Sequence, residues 1–331
     1  MRLPFHERHP SRLRPVVLLV LLVLAGCAAS PTSHLRALAD SQGFERSFVT
    51  VDGFRHTVFQ NRFPLQRRVL HVYLEGDGSP WSHRTFIMAD PTPRRPLMLR
   101  LMSQDLQAAV YIGRPCYNGT SRQPGCDNRL WTSDRYSPTV VASMSGVVRQ
   151  EIRRRGATRV RLFGHSGGGA LALLIAEGVP QVTDVVTVAG NLDTDAWTRH
   201  HGYTPLRGSL NPAMRDPLPG TVRQWHLLGQ RDTVIPPVLM EGFLRLRPQA
   251  VVRVLPGFSH GCCWDRIWAD VLLAVGSGRS ERFPGKVPGP SIRVSPGFET
   301  VTPWRAGVRP GVRSEIMPEP APAPAAGPDG R

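Results

Sequence analysis

The chain has 331 residues, of which 41% are apolar, and it carries 41 Lys and Arg residues against 25 Asp and Glu, a formal charge of +16. This apolar content supports a sizeable core and excludes a chain that is disordered throughout. The five cysteines are too few for a small disulfide-stapled scaffold, and no CxxC…CxxC spacing indicates a zinc site. The positive charge suits nucleic acid or an anionic membrane surface, but no nucleic-acid-binding motif accompanies it, so we predict no nucleic-acid partner.

Residues 1–26 have the pattern of an export signal, in which a segment rich in arginine precedes an apolar run. The run, Val16–Leu24, is much shorter than the ~20 residues that a transmembrane helix needs. It ends in Leu24-Ala25-Gly26-Cys27, which resembles a bacterial lipobox. That resemblance implies a lipid on the Cys27 thiol and cleavage before it. The alternative is an ordinary secretory signal with an incidental cysteine.

The residue after the lipobox bears on the location of the protein. Ala28 stands where an Asp would be associated with retention in the inner membrane. We therefore expect a bacterial cell-envelope protein on the periplasmic side of the outer membrane, with the inner membrane as the alternative.

The remaining ends of the chain are not expected to fold. Residues 27–46 form a predicted tether, and residues 277–331 contain 11 Pro and 8 Gly, a content typical of unstructured sequence. Pro318–Pro324 alternates proline with other residues and predicts an extended polyproline-like chain. What is left, residues 47–276, has the length of a single domain.

Within residues 47–276, predicted strands alternate with predicted helices. The predicted strands are Ser47–Val51, Arg55–Gln60, Val69–Glu75, Ala108–Ile112, Arg159–Phe163, Asp184–Ala189, Val222–Leu228 and Ala250–Leu255. The predicted helices are Pro138–Arg155, Gly169–Glu177, Pro237–Arg247 and Trp264–Val275. This order predicts an α/β domain with a mostly parallel central sheet and helices on both faces.

Residues 190–220 read as a long irregular stretch that follows the end of a predicted strand. They are either a lid and pocket excursion or an ordinary long loop. The candidate apolar wall residues are Trp197, Tyr203, Leu206, Leu210 and Met214.

A G-x-S-x-G pattern lies between a predicted strand and a predicted helix. The segment Gly164-His165-Ser166-Gly167-Gly168 places the serine on a tight turn, where side chains two positions away on either side would clash. Such a turn lifts Ser166 Oγ clear of the sheet and aims the N–H of Gly167 at the carbonyl oxygen of a substrate. Ser166 is therefore the predicted nucleophile, and the alternative is a glycine-rich turn without chemistry.

A serine hydroxyl is a poor nucleophile without a base to take its proton and an acid to orient that base. Asp232 follows one predicted strand and His260 follows the next. With this chain order and placement, the predicted domain resembles an α/β-hydrolase. The resemblance implies the topology of that fold and a catalytic triad of Ser166, His260 and Asp232. Asp193 and Asp195, which follow the preceding strand, are the alternative acids.

An oxyanion hole needs two N–H donors, and Gly167 is expected to supply one. Glu75-Gly76-Asp77-Gly78 resembles the His-Gly-x-Gly segment of the family, which implies that the backbone of Asp77 (or Gly78) supplies the other. Glu75 stands where lipases and esterases often have His. Two acids beside a developing negative charge are unfavourable unless their side chains point away.

Four cysteines remain besides Cys27, and an exported domain meets an oxidising compartment. Cys116 and Cys126 enclose a loop rich in Gly, Pro and Asn and are a candidate disulfide. Cys262 and Cys263 lie close to the predicted catalytic histidine. They form either a vicinal disulfide or a pair of free thiols.

These features predict a lipid-anchored serine hydrolase that cleaves carboxylic ester or thioester bonds by acyl transfer, without a cofactor or a metal. The expected substrate is a small-molecule or lipid acyl ester, and the expected contact with the membrane is the N-terminal lipid. The alternative, from a different class of protein, is a binding or scaffold lipoprotein that keeps the fold without turnover. The unusual Glu75/Asp77 loop and the long tail favour that alternative.

Overall fold

The computed structural model describes residues 30–62, 68–83 and 85–285, so the predicted signal, Cys27 and residues 286–331 lie outside the described residues. The strands are β1 (Glu45–Val51), β2 (Phe54–Gln60), β3 (Val69–Leu74), β4 (Trp81–Ser82), β5 (Phe86–Ile87), β6 (Ala109–Ile112), β7 (Arg159–His165), β8 (Val182–Val188), β9 (Arg223–Gly229) and β10 (Val251–Leu255). The α-helices are α1 (Pro31–Ser41), α2 (Leu97–Met102), α3 (Pro138–Arg155), α4 (Gly167–Glu177), α5 (Thr194–His201), α6 (Glu241–Arg245) and α7 (Trp268–Ser277). In the described ranges, no helix is both long enough and apolar enough to cross a bilayer.

Eight of the strands form one sheet in the order β1-β2-β6-β3-β7-β8-β9-β10, while β4 and β5 pair separately. The strands from β6 to β10 in this order run parallel to one another, and β1 and β2 form an antiparallel hairpin at one edge. The predicted α/β class with a mostly parallel sheet is confirmed. The loops that follow β3, β7, β9 and β10 leave the carboxyl ends of parallel strands, which is where sheets of this kind bind ligands.

Helices cover both faces of the sheet, and each face has its own core. One core contains the buried side of α3 and nearly all of α4, and the other contains buried residues of α1, α2 and α7. Val72 and Tyr73 are neighbours in β3 and both are fully buried, yet Val72 belongs to the first core and Tyr73 to the second. Successive strand side chains point to opposite faces, and burial on both faces explains the continuous apolar runs of the strands.

The N-terminal part of the domain differs from the prediction. The sequence predicts a tether over residues 27–46, but Pro31–Ser41 form α1, and the Ser30 hydroxyl caps it by accepting a hydrogen bond from the N–H of Ser33. Leu35 and Ala39 are fully buried in the second core. A short helix with few apolar residues carries little periodic signal in the sequence, and its position is decided by tertiary packing.

The domain also extends beyond residue 276. Helix α7 ends at Ser277, and Phe283 is buried against Trp225 with 5.1 Å between the ring centroids. The first residues of the predicted tail are therefore packed on the domain.

The predicted irregular stretch 190–220 contains α5 and a 3₁₀ turn at Pro212–Met214. Leu206 and Leu210 pack against the core of α3 and α4, so they are not free to line an open pocket. Met214 is 77% exposed and Tyr203 is 45% exposed. Of the candidate wall residues, these two and the partly exposed Trp197 face solvent.

Candidate active site

Ser166 lies on the sharp turn between β7 and α4. Its φ of 53° and ψ of −122° are a strained conformation for a residue other than glycine. A Cβ on Gly164 would overlap the backbone of Gly168, and a Cβ on Gly168 would overlap the carbonyl oxygens of Leu74 and Glu75. The turn that carries Ser166 is called the elbow below. Gly164 and Gly168 allow the two sides of the elbow to approach each other and the end of β3.

Asp232 and His260 are joined by a hydrogen bond of 2.9 Å between His260 Nδ1 and Asp232 Oδ2. The other carboxylate oxygen, Oδ1, accepts hydrogen bonds of 2.8 Å from the N–H groups of Val234 and Ile235. Asp232 is 3% exposed. Because Oδ1 is fixed by two backbone donors, Oδ2 is held toward the imidazole, which donates from Nδ1 and leaves the Nε2 lone pair free.

The alternative acids, Asp193 and Asp195, lie at the start of α5. Asp193 Oδ1 accepts the N–H of Ala196 and caps α5, and it also accepts a hydrogen bond from the side chain of Asn211. Among the hydrogen bonds of the described residues, none joins Asp193 or Asp195 to His260. The acid that contacts the histidine is Asp232.

Burial lowers the pKa of His260 below its usual 6.5, the hydrogen bond to Asp232 raises it, and the neighbouring His165 lowers it. The net direction is downward, so the imidazole is neutral near pH 7, as a general base must be. The hydrogen bonds of the described residues do not include one from Ser166 Oγ to His260. Bonds of this kind often form only when a substrate is bound.

The loop after β3 approaches the elbow closely. A Cβ on Gly76 would lie 3.2 Å from Ser166 Cβ and 3.3 Å from His165 Nδ1. Within the described residues, the N–H groups of Asp77 and Gly167 donate no hydrogen bond to a protein acceptor. Both donors that the sequence predicts for an oxyanion hole are therefore free to bind a ligand.

The carboxylate of Asp77 is held by a buried cluster of Arg114, Arg135 and Tyr136. Arg114 Nη2 lies 2.8 Å from Oδ1, Arg135 Nη1 donates to Oδ2 at 3.0 Å, and the Tyr136 hydroxyl also donates to the carboxylate. Burial alone would raise the pKa of Asp77, but the two guanidinium charges outweigh it and lower the pKa to about 2. Asp77 is therefore a paired anion, and Arg114 is only 3% exposed.

The carboxylate of Glu75 is also occupied. Oε2 accepts the N–H of Met98 at the start of α2 at 2.9 Å, and Oε1 accepts the N–H of Gly76 at 3.2 Å. Each acid of the loop thus has its own partners, which removes the main physical objection to an oxyanion hole at this position.

No pattern in the sequence indicates a role for Arg114, Arg135 and Tyr136. They lie between β6 and α3, Arg114 just before the loop closed by Cys116 and Cys126 and the other two after it, and no motif links them to the loop after β3. A Cβ on Gly167 would overlap Asp77 Oδ1 and the Tyr136 hydroxyl, so this cluster also lies against the elbow.

Both candidate cysteine pairs form disulfides in the structure. Cys116 and Cys126 are joined with 5.6 Å between their Cα atoms. Cys262 and Cys263 form a vicinal disulfide in the loop that carries His260.

No family model matches the chain, and no curated protein matches it. Solved structures do resemble it. A bacterial membrane phospholipase A, described as a virulence factor, has a TM-score of 0.51 at 15% identity, covering 81% of this chain and 98% of its own. Puromycin hydrolase has a TM-score of 0.52 at 17% identity, covering 74% of this chain and 40% of its own.

A third structure, a candidate lipase from Acinetobacter baumannii AYE, has a TM-score of 0.51 at 14% identity, covering 77% of this chain and 99% of its own. At these identities the likeness concerns the fold. Together with the sheet order, it shows that the chain has the α/β-hydrolase fold.

Proposed function

We propose that the protein is a serine hydrolase that cleaves carboxylic ester or thioester bonds through an acyl-enzyme intermediate. The observation that carries the proposal is the His260–Asp232 hydrogen bond of 2.9 Å on loops that converge with the strained Ser166 elbow. The similarity to a phospholipase A and to a candidate lipase favours an ester or lipid substrate. Fold alone does not assign a reaction, so the proposal depends on the site.

In the proposed reaction, Ser166 Oγ attacks the substrate carbonyl carbon while its proton passes to His260 Nε2. Asp232 keeps the imidazole in the required tautomer and stabilises the cation that forms. The N–H groups of Gly167 and Asp77 stabilise the negative carbonyl oxygen. The bond to the alcohol or thiol then breaks, and His260 gives the leaving group its proton. Water, deprotonated by His260, hydrolyses the acyl-serine and regenerates the enzyme.

We expect a fluorophosphonate probe to label the full-length protein in detergent and Ser166→Ala to abolish the labelling, because the probe reacts with an activated serine hydroxyl. The measurement is gel fluorescence after labelling, together with hydrolysis of p-nitrophenyl esters of graded chain length. Equal labelling of Ser166→Ala would exclude Ser166 as the nucleophile. A folded wild type with neither labelling nor turnover would favour the binding or scaffold alternative.

We also propose that Cys27 carries a lipid and that the enzyme acts at a membrane surface of the cell envelope. The lipobox-like residues 24–27 after an apolar run are the observation behind this proposal. In a bacterial host fed an alkyne fatty acid, we expect the wild type to be labelled and to partition into detergent. Cys27→Ala should lose both properties and keep its reaction with the fluorophosphonate probe. Equal lipid labelling of the two proteins would contradict the anchor.

A further inference from the structure

His165 contacts the loop that carries His260. It is the last residue of β7, directly before Ser166, and it is 9% exposed. Its Nε2 lies 2.8 Å from the carbonyl oxygen of His260, and the two rings lie 4.8 Å apart. A carbonyl only accepts hydrogen bonds, so His165 must carry its proton on Nε2.

The other nitrogen of His165 faces a carboxylate. Nδ1 lies 3.7 Å from Glu75 Oε1, and Glu75 is 5% exposed. With Glu75 at its Nδ1 edge and the His260 carbonyl at Nε2, the ring of His165 is held in one orientation.

The carbonyl of His260 has a second donor, because Trp264 Nε1 donates to it at 3.1 Å. The main chain of His260 is thus held by two side chains, while its ring is held by Asp232. The titratable groups that face the His260 ring are Asp232 and His165, and Asp77 acts on it from the loop after β3. His165 itself faces Glu75 and His260.

We propose that Glu75 and His165 form a second carboxylate–histidine pair, which positions His260 through its backbone carbonyl. This inference rests on the proposed serine hydrolase function. It links the three loops of the site, because Glu75 follows β3, His165 precedes the nucleophile and His260 follows β10. Glu75 stands where lipases and esterases often have His. A carboxylate can pair with His165 at this position, whereas a second histidine could not.

The Glu75–His165 pair also affects the pKa of His260, the proposed base. His165 is one of the groups that lower the pKa of His260, after burial. Replacing the His165 imidazole by an uncharged side chain is therefore expected to raise the pKa of His260, so the base becomes protonated at a higher pH. The acid limb of the kcat/KM profile then moves to higher pH.

Two substitutions separate the hydrogen bond of His165 from its effect on the pKa of His260. His165→Gln keeps a donor at about the reach of Nε2 and removes the imidazole, whereas His165→Leu removes both. We expect His165→Leu to lower kcat by about 10- to 100-fold with little change in KM, because misplacing a catalytic group acts on the chemical step. His165→Gln should recover most of kcat and shift the acid limb to higher pH. His200→Gln, an exposed histidine on α5, is the matched control and should change neither quantity.

Glu75 is tested by a double-mutant cycle with His165. If Glu75 acts through His165, the change in the acid limb caused by Glu75→Gln disappears when residue 165 is already Gln. Equal effects of Glu75→Gln in both backgrounds would remove Glu75 from the pair. Melting temperatures measured in parallel identify variants that have lost their fold.

The hydrolase function and the Glu75–His165 pair are tested by different measurements. A wild type without probe labelling or turnover overturns the hydrolase function, whereas NMR titration of the His260 imidazole in wild type and His165→Gln requires no turnover. We expect the His260 titration to move to higher pH in the variant. Unchanged titration, or equal losses of kcat in His165→Leu and His165→Gln, would overturn the pair.

Discussion

Replacing Asp232 by Asn is expected to lower kcat by about 10³- to 10⁴-fold, the size of effect seen when a triad histidine is held in the wrong tautomer. The hydrogen bonds of Asp232 decide the orientation of the new side chain. Its Oδ1 accepts two N–H groups, from Val234 and Ile235, and an amide oxygen can replace it there. The amide NH₂ must then face His260 Nδ1, which has to accept, so the proton moves to Nε2 and the base loses its free lone pair.

Asp193→Asn is the matched control for this experiment. Asp193 caps α5 through Oδ1, and Asn is as good a capping residue, so kcat should stay within about twofold of the wild type. The measurements are steady-state ester hydrolysis and thermal unfolding of both variants. A large loss of kcat in Asp193→Asn with little loss in Asp232→Asn would assign the acid to Asp193.

The turn that carries Ser166 could be predicted from the sequence because its requirements are local. The turn needs small residues two positions before and after the serine, and it needs a strand and a helix at fixed distances along the chain. The packing of Gly164 and Gly168 in the structure meets these requirements. The prediction that Asp232 and His260 lie together depends only on their order in the chain and on their positions at the ends of two strands. Both can be read from the alternation of predicted strands and helices.

The surroundings of these residues could not be predicted, because they depend on contacts between distant parts of the chain. Arg114 and Arg135 reach Asp77 across 37 and 58 positions of sequence, and nothing in their own segments indicates a buried carboxylate. His165 was visible within the motif, but the direction of its ring toward His260 was not. In the same way, α1 owes its place to Leu35 and Ala39 in a core contributed by other elements.

A second large effect is expected from Asp77→Ala, which leaves Arg114 and Arg135 buried without their common anion. Breaking a buried ion pair by removing one partner costs about 3–5 kcal/mol of folding stability. The loop with the predicted oxyanion donor also loses its attachment, so kcat of the remaining folded protein should fall by at least about tenfold. Asp40→Ala, at an exposed position of α1, is the control and should unfold like the wild type in urea.

Asp77→Asn isolates the charge, and its effect depends on pH in a defined direction. The pKa of Asp77 is lowered from 3.8 to about 2 in the folded protein, so the unfolded chain binds the proton more readily. The ionised carboxylate therefore contributes about 2 kcal/mol above roughly pH 5, and this contribution is lost as the pH falls through 4 toward 2. We expect the difference in unfolding free energy between wild type and Asp77→Asn to shrink over that interval. A difference that stays constant from pH 6 to pH 2 would mean that the arginines do not stabilise the Asp77 anion.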